Sequence, residues 1–143
     1  MPKPDPALLD PARYPFTCTM EPRFGDLDVN LHINNVAMAG MLEDARVRFH
    51  HRTGYRELVA GHTSMVASIA IEYLGEASYP QSVAIACAVE HIGRTSHRLV
   101  QLVLQDGGPI VFARIVLVVV GPEGPSPLPE SFAASARPWM LRA

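Results

Sequence analysis

The chain has 143 residues, 48% of them hydrophobic, with 12 Lys and Arg against 14 Asp and Glu and a formal net charge of −2. That length and balance suit one domain, residues 1–143, with a continuous core, and they exclude a disordered chain and a basic nucleic-acid surface. Cys18 and Cys87 are too few for a disulfide framework; each falls in strand-like sequence and reads as a small buried hydrophobe.

Residues 1–13 are rich in proline and read as an extended arm. Met1–Pro6 lacks the apolar core of a signal peptide, and the apolar run Ile115–Val120 stops at Gly121-Pro122, too short to span a bilayer. The expectation is a cytoplasmic protein with no membrane insertion. A strand is predicted from Pro15 to Arg23, with Pro22 making its end an edge or a bulge. A polar loop follows. Asn34 is the N-cap candidate of a helix predicted over Asn35–Thr53, and Gly54 is its natural stop. Met38, Leu42, Ala45 and Phe49 form one apolar stripe, which Val36, Ala39, Gly40 and Met41 broaden. Glu43, Asp44, Arg46, Arg48 and Arg52 are expected to keep the second half in water, with Asp44 and Arg48 spaced for an i,i+4 pair.

The remainder reads as strands. Met65 to Tyr73 alternates, as does Val83 to Val89, and Arg98 to Gln105 makes a third segment. Asp106-Gly107-Gly108 is a hairpin turn. Ile110 to Val120 is a β-branched strand interrupted by Arg114, which either snorkels at an edge or faces an acidic partner. A Pro-rich tail, residues 122–143, includes a short helix over Ser131–Ala136. One apolar helix followed by four strands predicts an α+β fold, an antiparallel sheet of five or six strands curled around the helix. Its exposed edges and apolar outer face predict a dimer.

The chemistry concentrates in Arg23–Asn35. If Asp28-x-Asn30-x-His32 is extended, its carboxylate, amide and imidazole point the same way. They would converge where the first turn of the helix offers unpaired N–H groups, around Asn34 to Val36. That is an acid–base set beside an anion site, suited to acyl transfer. Asp28 would be base or nucleophile, His32 a proton shuttle, and Asn30 would orient water or a carbonyl. The same residue types also build Asx turns and caps, and both readings stand here. His50 and His51 cannot share a helix face. His91 and His97 flank a turn and could approach each other, with no third ligand suggested, so no metal site is expected. No serine-hydrolase elbow, P-loop or dinucleotide fingerprint is present.

The run Asp26–Asn35, followed by Val36–Glu43, resembles the signature segment of hotdog-fold thioesterases, the acyl-acyl-carrier-protein thioesterases and 4-hydroxybenzoyl-CoA thioesterase-like proteins in particular. The order of helix and strands fits that fold over roughly residues 15 to 121. The resemblance implies a hotdog sheet wrapped around a central helix, a homodimer or homotetramer, and hydrolysis of an acyl-CoA or acyl-carrier-protein thioester. It implies no cofactor beyond the coenzyme A or phosphopantetheine that belongs to the substrate. Asp28 matches the family's nucleophile or general base, and Asn30 and His32 match its companions. The Asn35 amide, beside Asn34, matches the N–H that polarises the carbonyl. Glu76 matches an acidic residue of the second strand less securely, since a bulge at Gly75 would decide its face. Thr95 and Ser96 fall where relatives contact the thioester or pantetheine arm. Arg94 and Arg98 could meet coenzyme A phosphates, though solvated surface arginines are the commoner outcome, and Met38, Met41 and Leu42 would line an acyl tunnel at a subunit interface together with residues of a partner subunit. Leu31 departs from the Gly of many relatives, and Ala77 stands where some plant enzymes have Cys. Plant enzymes also carry two hotdog repeats, so this single repeat would associate. Two rivals stand: a hotdog protein that binds acyl groups without hydrolysing them, and a hydratase or dehydratase of acyl thioesters.

Overall fold

The computed structural model describes residues 3–143; Met1 and Pro2 of the N-terminal arm lie outside the described residues. Asp5 and Asp10 each accept a hydrogen bond from the N–H two residues on, and Pro6 and Pro11 follow them. A capping carboxylate before a proline with preset φ starts a helical turn. The arm therefore folds into two one-turn 3-10 helices, Pro6–Leu9 and Pro11–Arg13, where the sequence predicts extended chain.

Strand β1 is Phe16–Met20, shorter than predicted because the chain leaves the sheet before Pro22. Helix α1 spans Asn35–Thr53 as the periodicity predicts, capped by the Asn34 side chain and ended by Gly54 at φ +74°. A single turn, α2 (Tyr55–Leu58), leads into β2 (Thr63–Tyr73). Strands β3 (Val83–Ile92), β4 (Ser96–Gln105) and β5 (Gly108–Gly121) follow. Asp106 and Gly107, both at positive φ, turn β4 into β5, the geometry of the hairpin turn predicted there. A two-residue β6 (Gly124–Pro125) and a short helix α3 (Phe132–Ala136) complete the chain.

The strands pair antiparallel in the order β1-β3-β4-β5-β2, with β6 beside β5. This is a curled hotdog sheet with α1 laid across its inner face, packing chiefly on β3 and β1. Met38, Leu42, Ala45 and Phe49 are buried against Ile85, Leu99, Val103 and Ile115. Burial of each large apolar side chain there stabilises by about 1.5–3 kcal/mol. Cys87 joins this core with its thiol pushed up to about 12 by burial, and both cysteines are free.

The outer face is covered by the arm: Leu8, Leu9 and Tyr14 pack on Ala88, Val100 and Phe112. Arg13 and Arg142 exchange hydrogen bonds that tie the two terminal segments together. Of the two readings open for Arg114, the acidic partner holds. Its guanidinium bonds both oxygens of Glu90 at 2.7 Å, and Arg98 adds a third bond to the same carboxylate.

Two features of α1 and β2 differ from expectation or extend it. Arg46 does not stay in water with its neighbours; it is only 6% exposed and donates to Gln101 Oε1 at 3.1 Å. Strand β2 has a single neighbour, β5, and every residue from Thr63 to Ala70 is exposed. Its bulge lies between Val66 and Ser68, not at Gly75. Among the described residues no helix is long and apolar enough to cross a membrane.

Candidate active site

The loop before α1 is closed by its own polar groups. Buried Asp26 accepts from the Arg23 N–H through its side chain and from the Asn34 N–H through its carbonyl, each at 2.8 Å. Leu27 and Ile33 then pair as an antiparallel bridge, and the Asp28 N–H donates to the His32 carbonyl at 2.9 Å. Inside this turn Asp28 Oδ1 accepts from the N–H groups of Asn30 (2.8 Å) and His32 (3.2 Å). Residues 28–32 are thus a tight turn, and the extended geometry predicted for them is corrected. A short carboxylate next to free backbone donors folds the chain around itself. Leu31 takes φ +62° within the turn. For a side chain with a Cβ that conformation costs about 1–2 kcal/mol, which gives physical sense to the Gly that many relatives carry there.

Although the turn is not extended, it still brings several of the site residues inferred from sequence together. Asp28, Asn30, His32, Asn35, Met38 and Glu76 line one open pocket of about 210 Å³. Glu76 is on the pocket side: its Oε2 lies 3.2 Å from His32 Nε2. His32 Nδ1 is buried and has no hydrogen-bond partner. Asn34 caps the helix, its Oδ1 accepting from the Ala37 N–H at 2.7 Å and its carbonyl from Met38. The N–H groups of Asn35 and Val36 precede the first helical bond and stay free, at the positive end of the helix dipole. Met38, 2% exposed, is the pocket floor.

Other expected residues lie elsewhere. Leu42 is in the core, and Met41 faces Thr19 and Met20 of β1 on the far side of the helix. Thr95 and Ser96 precede and open β4, where Ser96 pairs with Val118 of β5. The pocket wall is Val111, seven residues along the same strand, a separation of roughly 23 Å at strand rise. In one chain these two residues do not reach the pocket.

Five further residues line the pocket, Ile33, Tyr73, Gly75, Ala77 and Val111, and the sequence reading placed none of them in the site. Tyr73, the last residue of the alternating run, donates its hydroxyl to the Asn35 carbonyl at 3.1 Å and ties the helix start to β2. The Ala77 carbonyl accepts from the Ile33 N–H at 3.0 Å. Neither contact has a local sequence signal beyond strand periodicity.

The opposite end of α1 carries a different histidine cluster. His97 points inward and its ring centroid is 6.0 Å from that of His50; Tyr55 stacks on His50 and lies tilted beside His97. Burial pulls His50 down to about 3, helped by His97, Arg46 and His51, and pulls His97 down to about 4. His91 pairs with Arg98, one register position from the Ile92–His97 pair, so His91 and His97 are on opposite faces and do not approach. Among the described residues no three His, Cys, Asp or Glu side chains are grouped to hold a metal ion.

Comparisons with known proteins agree with this architecture. A model of the thioesterase-like superfamily matches residues 22–135. A thioesterase from Thermus thermophilus, solved in complex with coenzyme A and Zn, is 30% identical, with a TM-score of 0.81 over 92% of this chain and 98% of that one. A predicted thioesterase from Bacillus stearothermophilus (22% identity, TM-score 0.79, 90% and 98% covered) shares the fold. So does the PA5185 protein from Pseudomonas aeruginosa (19%, TM-score 0.79, 92% and 96%). Comparison with curated proteins finds no match. With the loop, the helix start and the sheet order all in agreement, the chain belongs to the thioesterase-like superfamily.

Proposed function

We propose that the whole chain acts as a single hotdog domain that hydrolyses acyl thioesters, with the pocket at the start of α1 as its active site. One observation carries the reading. The Asp28 carboxylate and the free N–H of Asn35 line the same pocket, beside a His32–Glu76 contact. Asp28 Oδ1 is committed to the turn, which leaves Oδ2 for chemistry. Acting as general base, it takes a proton from water as the water oxygen adds to the thioester carbon. The oxyanion forms against the Asn35 N–H, where the dipole favours negative charge. Collapse breaks the C–S bond, and the thiolate leaves with a proton relayed by His32, which Glu76 orients. Direct attack by Asp28 through a mixed anhydride uses the same atoms. Asn30, at the exposed rim, orients the substrate.

Coenzyme A is the carrier best supported, since the 30% identical Thermus thioesterase was solved with it; an acyl carrier protein is the alternative. The expectation is a homodimer or homotetramer in the cytoplasm. The exposed β2 edge supports it, because an unpaired strand invites a second one. Antiparallel pairing of two β2 edges about a twofold axis reverses the ends of the sheets. It carries Thr95 and Ser96 of each copy toward the other's pocket, where they would meet the pantetheine arm.

Release of free thiol from a panel of acyl-CoAs, short, long and aromatic, tests the reading for wild type and Asp28→Ala together. Release by wild type that is lost in the variant supports it, and equal release by both contradicts it. The strained Leu31 turn favours one rival, an acyl-binding protein without turnover. Tight binding of the panel with no thiol released would support that rival instead.

A further inference from the structure

Tyr73 reaches from the end of β2 to the start of α1. Its hydroxyl donates to the Asn35 carbonyl, and among the described residues no other side-chain hydrogen bond links these two elements. The strand end that carries it is fixed. Tyr73 pairs with Val111 of β5, and the Leu74 and Gly75 N–H groups both donate to the Ile110 carbonyl, at 2.9 and 3.2 Å. Three residues on, the same segment sets Glu76 against His32. A phenol is protonated near neutral pH, and partial burial shifts this one further that way. It stays a donor.

The acceptor it chooses matters. The Asn35 carbonyl belongs to the peptide unit whose N–H is that of Val36. The helix already gives this carbonyl the Ala39 N–H, so the phenol is its second donor. Each hydrogen bond accepted by a carbonyl polarises its peptide unit and strengthens the N–H at the other end, by about 10–30%. Asn35 also stands between the two peptide units whose N–H groups are free, its own and that of Val36. A hold on its carbonyl sets the plane of the second and steadies the first.

We propose that two N–H donors, those of Asn35 and Val36, meet the oxyanion of the reaction, and that Tyr73 is the positioning residue that aims them. The proposal rests on the thioesterase reading given above and adds to it a second donor and the group that holds it. Charge on the thioester oxygen grows as water adds to the carbon, so the second donor is used in the transition state and little in the ground state. Donors aimed beforehand by a fixed strand end need no rearrangement when that charge appears. The end of β2 thus serves both halves of the site, through Tyr73 at the helix start and Glu76 at His32.

Tyr73→Phe tests this, because it removes one hydroxyl from a side chain that is 50% exposed and keeps the ring. With the best acyl-CoA of the panel, kcat is expected to fall about 10-fold, against the roughly 10²- to 10³-fold cost of losing a whole oxyanion donor. KM should stay within about 2-fold of wild type. The Kd of the matching thioether, with CH₂ in place of the carbonyl, should not move, since that analogue forms no oxyanion. The pH profile of kcat should keep its shape, since Tyr73 gives up no proton in the reaction. In the free protein the Val36 amide proton should move upfield in the variant, whatever the substrate. An unchanged kcat, an unmoved Val36 resonance, a rise in KM with a weaker thioether, or a lost limb of the pH profile would each overturn the role of Tyr73 and leave the thioesterase reading standing. A wild type that releases no thiol from any acyl-CoA would overturn both.

Discussion

The two ends of α1 hold histidines in opposite circumstances, and the contrast separates chemistry from packing. At the N-terminal end His32 is partly exposed, faces Glu76 across 3.2 Å and lines an open pocket with Asp28. At the C-terminal end His50 stacks on Tyr55 and His97 lies tilted against Tyr55 and Phe132, with no carboxylate among the residues lining their space of about 20 Å³. That is room for about one water molecule. An imidazole that has a charged neighbour and solvent access can exchange a proton during a reaction. One packed against aromatic rings and pulled down by burial is held neutral near pH 7 and behaves as a flat hydrophobe.

The sharpest way to break this comparison is at Asp28. Asp28→Asn keeps an oxygen for the Asn30 and His32 N–H groups and removes the charge. We expect thermal unfolding near that of wild type and thioester turnover reduced about 10²- to 10⁴-fold. An Asn variant with full turnover would reduce Asp28 to a loop brace.

At the other end the expected effect is on stability alone. His50 and His97 are depressed to about 3 and about 4 in the folded chain, against an ordinary value near 6.5. Between those values the unfolded state binds more protons, so stability is fully present above about pH 6.5 and falls as pH drops toward 4 and then 3. The loss should be on the order of a few kcal/mol. Urea unfolding at pH 7, 5.5 and 4.5 measures the slope, and His50→Phe with His97→Phe should flatten it without changing turnover at pH 7. A slope left unchanged by that double variant would remove these histidines from the account.

Smaller effects sharpen the N-terminal end. Glu76→Gln keeps the shape of the His32 contact but not its charge, and about a 10-fold loss of turnover is expected, less than at Asp28. Leu31→Gly relieves the φ +62° strain and adds freedom to the unfolded chain. The two oppose, so chemical denaturation should show a stabilisation between zero and about 1 kcal/mol.

Much of this was legible in the sequence where local rules govern. Helix α1 could be bounded from its Asn34 cap, its stripe and Gly54, and the hairpin at Asp106-Gly107 from turn chemistry. Six of the lining residues, Asp28, Asn30, His32, Asn35, Met38 and Glu76, could be named, because the turn and the end of β2 lie close to where period and resemblance put them. What could not be read was decided by partners distant in sequence or by competition within the loop. Arg46 looks like its solvated neighbours until Gln101, 55 residues away, accepts its hydrogen bond. His97 packs beside His50 and not beside His91 because strand register, invisible in composition, puts His91 and His97 on opposite faces. The Asp28 turn defeated a period-two reading because one side-chain oxygen outcompeted the extended backbone.

The central claim is that thioester chemistry belongs to the N-terminal end of α1 and not to the histidine cluster at the other. Its most direct test is free-thiol release from the best acyl-CoA of the panel by wild type, Asp28→Asn and His50→Phe, measured side by side at pH 7. The account expects turnover in wild type and His50→Phe alike, and a loss of at least about 100-fold in Asp28→Asn. Undiminished release by Asp28→Asn, or loss confined to His50→Phe, would contradict it.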